Sequence, residues 1–107
     1  MDTKLSIVTT TTETYDAALS IARTLLSARL AACVQIAPIR SCYIWKEELR
    51  EEEEFLLQIK ARTQDYEALA AAIRRAHSYE VPEILRLDVD AGDKSYLEWA
   101  FANTRRD

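Results

Sequence analysis

The chain switches between two hydrophobic periods, and the switches mark its elements. Lys4 to Thr10 is short and β-branched and reads as a first strand. Ala18, Ile21, Ala22, Leu25 and Leu26 then recur at helical spacing, which predicts a helix running to about Arg29. Thr10 and Glu13 match a capping box, in which two side chains satisfy free N–H groups at a helix start.

From Ala31 the period becomes two. Ala32, Val34 and Ile36 share one strand face, and after Pro38 a face is shared by Ile39, Ser41, Tyr43 and Trp45. Proline cannot donate to a ladder, so Pro38 is expected to mark a bend or bulge. The charged run Glu47 to Glu54 reads as a solvated acidic turn, with a cation-attracting rim as the alternative. Phe55, Leu57, Ile59 and Ala61 then alternate with Leu56, Gln58, Lys60 and Arg62, a third strand with one core face.

Thr63 can cap a second helix whose stripe is Tyr66, Leu69, Ile73, Ala76 and His77. Pro82 stops anything helical after Ser78, and Leu85, Leu87 and Val89 alternate as a fourth strand. Gly92-Asp93 turns into a last helix carrying Leu97, Ala100 and Phe101. The order βαββαβ plus a terminal helix predicts an α+β, ferredoxin-like fold, an antiparallel sheet with two helices on one face. No linker or repeat interrupts residues 1–107, so one domain is expected.

The hairpin is long for such a domain. Ala31 to Lys46 extends about 50 Å at roughly 3.3 Å per residue, against a diameter near 35 Å for a chain of this size. Its tip carries Tyr43, Ile44, Trp45 and Leu49, and such apolar surface on a bare edge invites another chain. Self-association is therefore expected.

A net charge of −4 and a pI near 5.0 fit poorly with nucleic acid or an anionic membrane. No apolar stretch is long enough to span a bilayer, and the first residues lack the pattern of a secretory leader. Cys33 and Cys42 have neither CxxC spacing nor the density of a disulfide scaffold, so buried, reduced thiols in the cytosol are expected.

Four stretches stand out in order: Leu30-Ala31-Ala32-Cys33-Val34, Ser41-Cys42-Tyr43-Ile44-Trp45, Leu56-Leu57-Gln58-Ile59-Lys60, and His77-Ser78-Tyr79-Glu80-Val81-Pro82-Glu83-Ile84. With Gly92-Asp93 and Tyr96-Leu97-Glu98-Trp99 behind them, the set resembles the CutA family, named for divalent-cation tolerance, from Ser6 to Trp99. The HxYxxPE segment is its most specific part. The resemblance implies a homotrimer joined through extended hairpins, a shape related to PII-type signal proteins, binding of copper or another divalent cation, and no settled reaction.

The sequence also departs from that family's pattern. Members proposed to ligate copper have a cysteine after the first strand and two adjacent histidines; here those positions hold Thr9 and Ala76-His77, and Ser78 replaces a proline. Trp45 is followed by Lys46-Glu47 where the family has glycine. One imidazole is a feeble site for a metal that wants several N or S ligands. His77 therefore reads either as a helix-end residue packed beside Tyr79 or as one ligand per subunit of a shared site.

Lys60 sits on the non-core face of its strand, with Tyr43 and Trp45 on the partner strand. Together with Tyr79 and Glu83 they can line an inter-subunit cleft for a small anionic ligand, lysine meeting the anion and the aromatics a planar group. Otherwise the aromatics are interface anchors. An acylphosphatase-like enzyme would need an arginine-bearing phosphate loop, and Thr9 to Thr12 has neither arginine nor glycine. A base-stacking RNA module is disfavoured by the third strand and the acidity. The expectation is a cytoplasmic binding protein and no enzyme.

Overall fold

The computed structural model describes residues 4–105. Strand β1 (Leu5–Thr12) leads to α1 (Tyr15–Ser27), β2 (Cys33–Trp45) and β3 (Glu48–Arg62). A 3-10 turn (Thr63–Asp65) precedes α2 (Tyr66–Ala76), then β4 (Leu85–Asp88) and α3 (Lys94–Ala102). The sheet order is β2-β3-β1-β4 with every pair antiparallel, as the ferredoxin-like reading requires.

One face of the two central strands carries the core. Val8, Leu57, Ile59 and Ala61 meet Ala18, Ile21 and Leu25 of α1 and Leu69, Ala72 and Ile73 of α2, all of them buried. Alternation sends Lys60 and Arg62 to the other face, where α3 closes the end of the sheet away from the hairpin tip. Their cations lie 5.5 Å from the Tyr96 ring and 5.0 Å from the Phe101 ring. Arg62 also donates to Thr104 Oγ1 and to the Phe101 carbonyl, each at 2.7 Å.

Several sequence expectations shift. Strand β1 runs on to Thr12, with Thr10 opposite Leu57, and the cap of α1 is Thr14, whose hydroxyl accepts from Ala17 N at 3.1 Å. Pairing with β3 takes all four threonines from Thr9 to Thr12, so the cap passes to the next one, Thr14, beyond the run. Leu26 is exposed. At α2 no side chain caps the turn; the Thr63 hydroxyl bonds Ser6 Oγ at 2.6 Å, Ala76 is exposed, and Ala70 and Ala72 are buried.

Pro38 makes no bulge. The register runs unbroken from Cys33↔Lys60 to Trp45↔Glu48, with Pro38 opposite Phe55 on an edge strand, where a missing N–H is tolerated. The apolar phase changes at Pro38 because the cover changes: Val34 and Ile36 face the helices, and Ile39, Tyr43 and Trp45 face the other side, beyond the helices' reach.

The acidic run is strand as well. Only Lys46 and Glu47 turn the chain, both at positive φ (50° and 66°), and pairing resumes at Glu48. The ribbon gives the molecule extents of 45 × 25 × 21 Å, long in one direction as expected.

Strand β4 exists, but its leucines are not in the core. Leu87 pairs with Ile7 and Leu85 with Thr9, which puts both on the face away from α1 and α2, 56% and 58% exposed. Arg86 takes the helix side, its guanidinium 5.4 Å from the Tyr66 ring. Neither cysteine is fully buried: Cys33 is half-buried and Cys42 lies exposed on the ribbon.

Candidate functional site

The open face of the ribbon presents the odd residues of β2 and the even residues of β3. Across from it runs the segment that leaves α2 at His77, and three bonds fasten that segment to the sheet. His77 Nε2 lies 2.7 Å from the Thr11 carbonyl, while Nδ1 accepts from Tyr79 N at 3.2 Å. The acceptor role of Nδ1 assigns the proton to Nε2, which donates to Thr11. The Tyr79 hydroxyl then donates to Glu54 Oε2 at 2.6 Å, and Thr9 Oγ1 donates to Glu83 Oε2 at 2.9 Å.

Between segment and ribbon lies a cleft of about 710 Å³, within the roughly 300–1,000 Å³ of small-molecule sites. Of the residues expected to share a site, Tyr43, Trp45, Tyr79 and Glu83 do line it. Lys60 does not: it stands opposite Cys33 and Ile7, at the far end of the sheet beside Tyr96. His77 holds the wall from behind, its ring 4.7 Å from that of Tyr79, and both of its nitrogens are engaged.

The sequence reading missed Glu52, Glu54, Arg50 and Glu80, which also line the cleft. Register was the signal that could have found the three on β3. With the turn at Lys46-Glu47, counting back pairs Tyr43 with Arg50, Ser41 with Glu52 and Ile39 with Glu54, all on the face of Trp45.

Two phenols there are held protonated. Burial pushes the Tyr79 hydroxyl up from its ordinary value, and its bond to Glu54 adds to the effect. Tyr43 donates to Glu52, and that bond is the main cause of its own upward shift. Among the described residues no three His, Cys, Asp or Glu side chains are grouped so as to hold a metal ion.

Residues 6–103 match the model of the family described as CutA1 divalent ion tolerance protein. The chain belongs to the CutA family. It is 38% identical over 99 residues to the divalent-cation tolerance protein CutA of Thermus thermophilus, covering 92% of this chain and 96% of that one. Its identity to the CutA of Pyrococcus horikoshii is 35% over 100 residues, covering 94% and 98%. The solved CutA1 of Oryza sativa superposes with a TM-score of 0.93 at 35% identity, covering 97% and 96%. CutA membership accounts for the sheet order and for the ordered motifs along the chain. No helix among the described residues is long and apolar enough to cross a membrane.

Proposed function

We propose that this CutA-family chain serves divalent-cation tolerance as a cytosolic homotrimer that binds a small ligand or metal at its subunit boundaries, and that it is a binding protein and no enzyme. The observation that carries the reading is the open sheet face. Leu85 and Leu87 lie more than half exposed beside Ile7, in line with an edge strand and a ribbon that overhangs the domain. A second copy packed there would cover what this chain leaves bare and would close the cleft.

Light scattering at micromolar concentration tests the assembly. A mass three times the 12.3 kDa of one chain is expected, and Leu87→Asp should yield monomer. A wild-type monomer would overturn the reading.

For the cation, His77 is the candidate ligand, contributed once by each subunit around a shared axis. Copper or another divalent cation would have to displace Tyr79 N from Nδ1, so weak binding is expected. Calorimetric titration of copper and zinc into wild type and His77→Ala checks this; equal binding by the two rejects His77. The engagement of both ring nitrogens also favours a second reading, a PII-like signalling or structural trimer whose cleft takes a small ligand without metal. Absence of any metal heat would select it.

A further inference from the structure

We propose that the cleft binds a small organic cation, an ammonium or guanidinium group on a short apolar stem. The inference deepens the reading of the cleft as a ligand site and rests on it. Four carboxylates, Glu52, Glu54, Glu80 and Glu83, line the cleft against one guanidinium, that of Arg50, which leans to Glu48 at 3.5 Å. None of the four forms an ion pair with a described residue.

Glu54 is the decisive group. It is 7% exposed, and one oxygen accepts from Tyr79. Its other oxygen has no hydrogen-bond partner among the described residues, on a side chain that lines the cleft. A phenol donates without neutralising, so Glu54 keeps one oxygen open to the cleft with no cation of a described residue against it. On a side chain otherwise packed away, that is a place where a cation from outside would find its partner already held.

The walls choose the kind of cation. A compact metal ion needs several donors converging on one point, and the described residues offer no such group. The rings of Tyr43, Trp45 and Tyr79 interleave with the carboxylates instead, and ring faces attract ammonium and guanidinium groups. Trp45 already shows this behaviour, with Lys46 Nζ at 5.7 Å from its centroid. Glu52 and Glu54, two residues apart on β3, stand about 7 Å from each other along the strand, a spacing that suits cationic heads at the two ends of a short stem.

Agmatine, with an ammonium at one end and a guanidinium at the other, is the probe, and succinate is the anionic control. Calorimetry on the full chain should show agmatine binding and no succinate heat. Glu54→Gln keeps the size and an acceptor for Tyr79, and should weaken agmatine binding about tenfold or more; Trp45→Leu should weaken it as well. No agmatine heat with wild type, or equal binding by Glu54→Gln, overturns the proposal. Succinate binding in place of agmatine also overturns it, yet leaves the cleft a ligand site. If agmatine gives no heat and Glu54→Gln lowers the mass seen by light scattering, the cation belongs to a second copy and the free-ligand proposal fails.

Discussion

The Tyr79 hydroxyl donates to Glu54 Oε2 at 2.6 Å, tying the segment after α2 to a strand residue 25 positions earlier. Burial first, and this bond second, raise the phenol above its ordinary 10.0. The folded chain thus holds the proton more tightly than the unfolded one. The stability this contributes is fully present below about pH 10 and is lost as pH rises through the folded-state value. In a tyrosinate absorbance titration, Tyr79→Phe should remove the step at highest pH, and Glu54→Gln should move that step down. Persistence of the step in Tyr79→Phe would show that another tyrosine carries it.

The ribbon turns through Lys46 and Glu47, at φ 50° and 66°. A two-residue hairpin turn of type I′ needs positive φ at both positions, which is why glycine and asparagine dominate it. A side chain held there costs roughly 1–2 kcal/mol, partly offset in a glycine by its larger unfolded-state entropy. Glu47→Gly should therefore stabilise the protein by about 0.5–1 kcal/mol, with Glu47→Ala giving no such gain because it keeps Cβ. Guanidinium midpoints at one protein concentration measure both. A lower midpoint for Glu47→Gly would mean that the glutamate side chain stabilises the tip.

This turn also marks where the sequence stopped being legible. Phe55, Leu57, Ile59 and Ala61 announced β3 because one face meets two helices and the other does not, so the period of two is clean. Glu48 to Glu53 sit on a ribbon with solvent on both sides, where nothing enforces alternation, and they imitate a loop. That misreading hid the register, and with it Glu52 and Glu54. The aromatic half of the cleft was legible because large rings on an overhanging ribbon need some use. Its acidic half was not; Lys60, expected at a cleft between subunits, stands within one chain at the other end of the strand, opposite Cys33.

Thr10 is fully buried opposite Leu57, and its hydroxyl has no hydrogen-bond partner among the described residues. An unmet hydroxyl in a core costs roughly 1–3 kcal/mol, while a valine methyl occupies nearly the same space. Thr10→Val should raise stability by about 1 kcal/mol. Thr10→Ser, which keeps the hydroxyl and loses the methyl, should lower it. Denaturation midpoints decide this, and a destabilised Thr10→Val would show that the hydroxyl is satisfied in solution.

His77 joins two fastenings of the same wall, the Thr11 carbonyl on one side and Tyr79 N on the other. His77→Ala leaves both groups without their partner and should cost about 1–3 kcal/mol. The loss should not stop there, because the ring also supports Tyr79 at 4.7 Å and so aims its hydroxyl at Glu54. Tyr79→Phe in the His77→Ala background should therefore cost less than in wild type. We expect a coupling of at least about 0.5 kcal/mol in the double-mutant cycle. Additive losses would mean that Tyr79 finds Glu54 unaided and that the imidazole is free to serve the cation.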